Sequence, residues 1–200
     1  MKLIYTTTSP LARKCRILVR ELGLIDRIEE VITTTRSEDS LIMNYNPNGM
    51  VPTLETDDGY TICETNIICN YLEKQSSNNG FTPQVEKKYW EVIGLDAIAS
   101  QILDSVVSRA RDLKFKPKEF HFPDGIKYEQ RRVQRAFDFL EKKSDIIVNN
   151  VNRAHISISL VCLVLDNIFP DEQWKENRDN ILKVYEDFKK RDSFIETITQ

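Results

Sequence analysis

The spacing of apolar residues along the chain changes character once, near residues 76–84. Before that point, the period-two alternation of strands and the wider spacing of helices follow one another. The pattern predicts strands at residues 2–6, 28–33, 51–55 and 60–63, and helices at residues 11–22, 37–45 and 65–75. This β-α-β-α-β-β-α order predicts a small mixed sheet with helices on both faces.

After the change, every periodic segment has helical spacing. Helices are predicted at residues 87–113 and 127–143, and two charged helices follow the Phe169-Pro170 break. Residues 156–165 are apolar nearly all round, which predicts a helix buried on every side. The stretch between the two patterns is polar and carries Gly and Pro, as a linker does. We therefore predict an α/β domain over residues 1–76, a linker over 77–84 and an all-helical domain over 85–200.

Composition excludes several classes of function. Lys and Arg number 28 against 31 Asp and Glu, a net charge of -3, which argues against nucleic-acid binding. The first residues hold too short an apolar run for a signal peptide, and no stretch is long enough to cross a membrane, so we expect a cytoplasmic protein with no membrane partner. Two histidines cannot build a His-rich metal site, so no metal is expected. The cysteines have apolar neighbours and are predicted to be reduced, buried thiols: Cys15, Cys63, Cys69 and Cys162.

Residues 44–66 carry the strongest functional signal. Pro52 interrupts a strand, where it forfeits a ladder hydrogen bond, and so marks an edge or a bulge. If the Val51–Pro52 peptide bond is cis, the main chain of Val51 turns outward, and its N–H and C=O can pair with a peptide-like ligand. Thr65 adds a hydroxyl and the unpaired amides of a helix start, which favour a carboxylate. Together these features predict a receptor for a short, anionic peptide.

The whole chain resembles the cytosolic glutathione transferases. Four segments carry the resemblance: residues 9–14 (Ser-Pro-Leu-Ala-Arg-Lys), 46–54 (Asn-Pro-Asn-Gly-Met-Val-Pro-Thr-Leu), 64–67 (Glu-Thr-Asn-Ile) and 191–197 (Arg-Asp-Ser-Phe-Ile-Glu-Thr). The Ser-Pro-x-x-Arg-Lys opening is similar to a bacterial branch of that family. The resemblance implies an α/β thioredoxin-like N-terminal domain followed by an all-α C-terminal domain.

The resemblance also implies which residues hold glutathione. Val51, followed by a cis Pro52, would bond the cysteinyl main chain of the tripeptide. Glu64 and Thr65 would hold the amino and carboxylate groups of the γ-glutamyl end. In the family this role usually belongs to an acidic residue and a serine, so Thr65 is a mild departure that keeps the hydroxyl.

Two hydroxyl groups compete for the place beside the glutathione sulfur. Ser9 stands immediately before Pro10, whereas Thr8 stands two residues before it, as the active hydroxyl does in some classes of the family. Glutathione contacts are also implied for Leu11, Asn48 and Met50. Met50 replaces a lysine that contacts the glycyl end in many members, so anchoring there is expected to be weaker.

The resemblance implies a glutathione transferase, which conjugates glutathione to a small hydrophobic electrophile, acts in detoxification and forms a two-fold homodimer. The helical domain would have to supply the pocket for the electrophile. Two alternatives stay open: a non-catalytic module that binds protein partners, and a glutathione-dependent thiol oxidoreductase, which normally needs a cysteine where this chain has Ser9. The cap of the central helix in the second domain aligns with Ala154 and Ser157, an incomplete pair that would cost about 1 kcal/mol.

Overall fold

The computed structural model describes residues 1–77, 81–148 and 150–198, so residues 78–80 of the predicted linker lie outside the described part. The chain divides into two units. The α/β unit comprises the described residues of Met1–Phe81 and Arg191–Gln200, and the helical unit comprises those of Thr82–Lys190. The predicted boundaries of the folding domains and of the linker stay predictions. The last described residues, which the sequence pattern placed in the second domain, group with the first unit.

The α/β unit contains a four-stranded mixed sheet. Its strands follow the order β2-β1-β3-β4, with β1 parallel to β2 and antiparallel to β3, and β3 antiparallel to β4. The elements of the unit are β1 (Lys2–Tyr5), α1 (Pro10–Glu21), β2 (Glu29–Ile32), β3 (Thr53–Glu55), β4 (Thr61–Cys63), α2 (Thr65–Gln75) and α8 (Asp192–Ile195). The β-α-β-β-α order agrees with the sequence pattern except in one segment.

That segment is the helix predicted over residues 37–45, which the structure reduces to a single 3-10 turn over Leu41–Asn44. The hydroxyl of Ser40 lies 3.1 Å from the Thr33 hydroxyl and also bonds the main-chain carbonyl of Thr34. Such local bonds from serine and threonine compete with the helical ladder, so the chain stays in an irregular loop until residue 41.

The core of the α/β unit follows the apolar spacing of its elements. Leu3 and Ile4 of β1, with Leu54 of β3, are fully buried in the sheet. Helix α1 contributes Ile17 and Leu18, and α2 contributes a second buried set at helical spacing, Ile68, Cys69 and Leu72. Burying apolar side chains of this size contributes about 1.5–3 kcal/mol each, so this cluster fixes α1 and α2 against the sheet.

The helical unit is built around one buried helix. Its elements are α3 (Glu86–Phe115), α4 (Pro123–Lys142), α5 (Ser144–Val148), α6 (Arg153–Ile168) and α7 (Asp179–Phe188). The predicted central helix is confirmed, because α6 is buried along nearly its whole length, including its two serines. Helix α6 contacts both α3 and α7.

The start of α6 corrects the predicted capping pair at Ala154 and Ser157. The side chain of Asn152 accepts a hydrogen bond from the Ala154 N–H at 3.0 Å, and the His155 ring accepts one from the Asn152 N–H at 3.1 Å. Asn152 and His155 therefore form a complete capping box, with histidine in the place that glutamate or glutamine usually takes. The expected loss of about 1 kcal/mol from a missing cap does not arise.

Candidate functional site

Strand registers bring three of the predicted segments to one end of the sheet. Ile4 pairs with Thr53, and Thr53 pairs with Cys63, in antiparallel ladders. The loop after β1, the residues before β3 and the residues after β4 therefore leave the sheet at the same end. These segments carry Ser9, the Val51–Pro52 bond and Glu64-Thr65, respectively.

Ser9 is the N-cap of α1, with Pro10 at the first helical position. Its hydroxyl oxygen accepts a hydrogen bond from the Ala12 N–H at 3.2 Å. Because that bond uses a lone pair, the hydroxyl proton stays available, and no described residue accepts it. Thr8 is exposed in the preceding turn, and its hydroxyl has no partner among the described residues. Ser9 therefore lies at the mouth of the helix, with Thr8 outside it.

The helix start also holds an open donor from Leu11. This residue is half-buried at the second helical position, where an N–H has no partner within its own helix. Among the described residues, none accepts a hydrogen bond from it. The Leu11 N–H and the Ser9 hydroxyl thus give the α1 terminus two donors for an anion, in addition to the positive end of the helix dipole.

The loop that precedes β3 is held in place from inside the unit. The buried amide of Asn46 donates to the Met50 carbonyl at 3.0 Å and to the Thr53 hydroxyl at 3.1 Å. The Thr53 hydroxyl itself donates to the same Met50 carbonyl at 2.9 Å, and the Asn48 N–H donates to the Asn46 side chain at 2.9 Å. These four bonds fix the main chain up to the residue before Val51.

Val51 itself is left open to a ligand. The Val51–Pro52 peptide bond is cis, as expected from the sequence. Val51 is half-buried, whereas Pro52 is buried. Within the described residues, neither the main-chain N–H nor the carbonyl of Val51 has a hydrogen-bond partner. A main chain pinned on one side and unpaired at the next residue is suited to pairing with an extended peptide.

Glu64 closes the start of α2 with its own side chain. It is the N-cap, at a φ of 75°, and its two carboxylate oxygens accept the N–H groups of Asn66 and Ile67, each at 3.0 Å. The expectation that unpaired amides at this helix start await a ligand carboxylate is therefore wrong for these two groups. The Glu64 side chain remains exposed and presents a negative charge.

Thr65 is the first residue of α2 and is buried, but its hydroxyl has no partner among the described residues. Two residues of α1 hold this helix start from behind. The Cys15 thiol lies 3.9 Å from the Thr65 carbonyl, and the Lys14 ammonium donates to the Asn66 side chain at 2.8 Å. These contacts tie the start of α2 to α1.

The other predicted glutathione contacts, Asn48 and Met50, take different positions. Both side chains are exposed, Met50 by 57%. Their main-chain groups are already used, the Asn48 N–H and the Met50 carbonyl both by Asn46. The structure thus places them on the same loop as Val51 without assigning their side chains a polar partner.

Sequence reasoning missed Asn46 and Lys14 as supports of the site. Asn46 was seen only as the start of a turn, although a buried asparagine must satisfy its amide somewhere. Lys14 falls among apolar residues of α1, and a charged residue in such a position was an available signal of a buried partner. It is fully buried in the structure.

The helical unit has a cavity of its own, of about 900 Å³. Residues of α3 and α4 and of the connection between them line it, and none of the predicted site residues does. Over residues 1–77, 81–148 and 150–198, no cluster of three or more His, Cys, Asp or Glu could hold a metal ion. No helix in this part of the chain combines the length and apolar character that a membrane span needs.

Comparison with known sequences decides the kind of fold that carries the site. Residues 8–75 match the family "Glutathione S-transferase, N-terminal domain". The match supports the glutathione transferase family, in line with the resemblance drawn from the sequence. It spans Ser9, the Val51–Pro52 bond and the start of α2. The narrower likeness to the bacterial branch with a Ser-Pro-x-x-Arg-Lys opening stays a prediction.

Relatives extend the likeness to the rest of the chain. The Escherichia coli (strain K12) protein YibF, an uncharacterized GST-like protein, is 26% identical over 200 residues, 98% of each chain. A glutathione transferase family member from Pseudomonas fluorescens Pf-5, solved with S-(propanoic acid)-glutathione, is 25% identical, with a TM-score of 0.88 and full coverage of both chains. The same family member solved with glutathione gives a TM-score of 0.91 at 24% identity, covering 100% of this chain and 98% of the other. The predicted fold class, a thioredoxin-like α/β domain plus an all-α domain, is confirmed.

Proposed function

We propose that this protein binds glutathione at the end of the sheet where Ser9, Val51 and Thr65 meet. The observation that carries the proposal is the unpaired main chain of Val51 beside two helix starts. A tripeptide pairs with such groups as a neighbouring strand would. The glutathione compounds bound to the Pseudomonas fluorescens relative support the same ligand class.

Each end of glutathione has a partner of suitable chemistry in this arrangement. The cysteinyl N–H and C=O pair with the main chain of Val51. The γ-glutamyl carboxylate accepts a hydrogen bond from the Thr65 hydroxyl, and the γ-glutamyl ammonium group pairs with the exposed carboxylate of Glu64. The sulfur then reaches the α1 terminus, where Ser9 and the Leu11 N–H offer donors.

Stabilisation of the thiolate follows from these donors. Ser9 donates its hydroxyl proton to the sulfur, and the helix terminus adds partial positive charge, so no group has to act as a base. If the thiol pKa falls from about 8.5 to about 6.5, the anion is favoured by about 2.7 kcal/mol. At neutral pH the thiolate fraction then rises from about 3% to about 75%.

Ionisation alone supplies little of the acceleration. A less basic thiolate is a weaker nucleophile, and a Brønsted slope of about 0.4–0.5 returns about a factor of ten. Most of the rate must therefore come from holding the electrophile against the sulfur. We propose that a small hydrophobic electrophile is the second substrate: a bond forms between sulfur and the electrophilic carbon, and the leaving group departs with the bonding electrons. The homodimer, the cytoplasmic location and the role in detoxification stay predictions.

The oxidoreductase alternative is not favoured by the helix start. Thr8, Ser9 and Pro10 stand where that chemistry normally places a cysteine. Cys15, a turn and a half further along α1, is buried and has its thiol beside the Thr65 carbonyl. The alternative of a non-catalytic partner-binding module is separated from the transferase by glutathione affinity.

Calorimetric titration with glutathione, together with the ultraviolet thiolate band recorded against pH, tests the proposal. We expect Ser9→Ala to raise the pKa of the bound thiol by about 1 unit or more, because the hydroxyl donor is lost. Thr8→Ala is the matched control, with an expected change below about 0.3 units.

If both variants ionise bound glutathione as well as the wild type, the hydroxyl assignment is wrong. If only Thr8→Ala raises the pKa, the active hydroxyl belongs to Thr8. A wild-type protein that does not bind glutathione would instead favour the partner-binding module.

A further inference from the structure

The guanidinium of Arg13, in the second turn of α1, is buried against the C-terminal segment Arg191–Ile198. Its Nη2 donates to the Phe194 carbonyl at 2.8 Å, and its Nε donates to the Thr197 hydroxyl at 3.1 Å. The guanidinium carbon also lies 4.3 Å from the centre of the Phe194 ring. These partners follow Arg13 by 181 and 184 residues in the chain.

The C-terminal segment is attached to the far end of α1 as well. Arg191 donates two hydrogen bonds to the Glu21 carboxylate, both at 2.7 Å, and the Ser193 hydroxyl bonds the same carboxylate at 2.5 Å. Arg20 pairs with Glu196 at 3.1 Å. The segment therefore contacts α1 near both ends, and Arg13 is its attachment closest to the helix start.

The attachment at Arg13 is connected directly to Ser9. The main-chain N–H of Arg13 donates to the Ser9 carbonyl at 2.9 Å, which is the first hydrogen bond of the helix. The Ala12 N–H, one residue earlier, donates to the Ser9 hydroxyl. A displacement of Arg13 thus moves both groups that orient Ser9.

We infer that Arg13 is a positioning residue, which holds the first turn of α1 and the Ser9 hydroxyl in place by anchoring them to the C-terminal segment. The inference rests on the proposed function, since the thiolate is the ligand that this turn would stabilise. A guanidinium suits the task because its planar donors reach a carbonyl and a hydroxyl at once while its face stacks on a ring. A lysine in its place can make only part of this set.

The experiment compares Arg13→Met with Arg16→Met. Arg16 is a matched control on the same helix, because its guanidinium donates to the Glu30 carboxylate at 3.0 Å and lies 4.3 Å from the centre of the Tyr5 ring, with no printed contact to the C-terminal segment. The full-length proteins are titrated with glutathione, and the thiolate band of the bound ligand is followed against pH.

We expect Arg13→Met to lower the ratio of bound thiolate to bound thiol at a fixed pH by about threefold or more. The control should lower it by less than about 1.5-fold, and Arg13→Lys should fall between them. Amide hydrogen exchange without ligand gives a second readout: the amides of Ala12 and Arg13 should exchange faster in Arg13→Met than in Arg16→Met. If Arg13→Met does not fold, Thr197→Val removes only the bond to Nε, and the same order against the control is expected.

Equal ionisation in the two methionine variants, with glutathione bound by the wild type, overturns the inference and leaves the proposed function standing. Equal exchange at Ala12 and Arg13 overturns it without reference to any ligand. A wild-type protein that binds no glutathione overturns the proposed function, and the positioning role falls with it.

Discussion

The two helices that begin at the candidate site solve the problem of their unpaired amides in opposite ways. Helix α1 uses the short hydroxyl of Ser9, which takes one N–H and leaves that of Leu11 open. Helix α2 uses the longer carboxylate of Glu64, which takes the N–H groups of Asn66 and Ile67 together. One helix start is therefore open to an anion, whereas the other is already closed by one.

This difference assigns opposite ligand charges to the two helix starts. An open terminus with a hydroxyl and a spare amide favours a thiolate. A terminus already neutralised by Glu64 gains little from a second anion, but its carboxylate can pair with an ammonium group. The zwitterionic γ-glutamyl end and the sulfur of glutathione fit these two requirements separately. Substitutions at each helix start can therefore separate binding of the tripeptide from ionisation of its thiol.

The largest effect is expected from Thr65→Val, which removes the hydroxyl at α2 and keeps the shape of a buried side chain. A hydrogen bond to a charged group contributes about 1.5–3 kcal/mol, so the Kd for glutathione should rise by about 10- to 100-fold. The pKa of the bound thiol should not change, because α1 is untouched. Calorimetry and the thiolate band measure the two quantities.

Thr61→Val, in the exposed β4 strand, is the control for that substitution and should leave the Kd unchanged. A Thr65→Val protein that binds glutathione as tightly as the wild type would mean that Thr65 is only a structural residue at the helix start.

A smaller effect is expected from replacing Glu64 by Ala and by Gly. Both changes remove the cap, but at a φ of 75° only glycine avoids the steric cost of a Cβ, about 1–2 kcal/mol. The Gly variant should therefore be more stable to urea than the Ala variant by about 1 kcal/mol. At Gln101, in the middle of α3, the same pair should show the reverse order, since glycine weakens a helix interior by about 1 kcal/mol. An Ala variant more stable than the Gly variant at position 64 contradicts this account.

The smallest effect concerns the pH dependence of α1 attachment to β2. Burial alone would raise the pKa of Glu30, but hydrogen bonds from Arg20 and Arg16 outweigh it and hold that pKa below the ordinary value of 4.5. A lowered carboxyl pKa stabilises the fold above pH 4.5, and the stabilisation is lost as the pH falls through the lowered pKa. Glu30→Gln should remove this part of the acid sensitivity, an effect of about 1 kcal/mol or less.

Urea unfolding of both proteins at about pH 6 and about pH 3.5 measures that effect. The loss of stability on acidification should be smaller in Glu30→Gln than in the wild type. Equal losses would show that the Glu30 carboxylate does not contribute.

The elements with clear local signals could be predicted from the sequence. Residues 2–5, the helix after Pro10 and the buried helix near residue 160 all follow apolar spacing, and the Pro52 signal located the loop that leaves Val51 open. The helix expected over residues 37–45 was wrong because Ser40 bonds to nearby threonines, a competition that apolar spacing does not record.

The remaining features depend on which group takes a given partner. The cap of α6 was misplaced by following the family spacing, whereas Asn152 and His155 form it with other residue types. The carboxylate of Glu64 was expected to face the ligand alone, yet it also bonds two amides of its own helix. The link between Arg13 and Phe194 joins residues too far apart for any periodic pattern to reveal.

That long-range link has a consequence for the order in which the protein is made. A ribosome completes the four strands and α1 more than a hundred residues before it synthesises the partners of Arg13. The nascent α/β unit therefore passes through most of translation with this arginine unanchored. Competence to ionise glutathione is expected to arise only once residues 191–198 have emerged and docked, at the end of synthesis rather than when the sheet first forms.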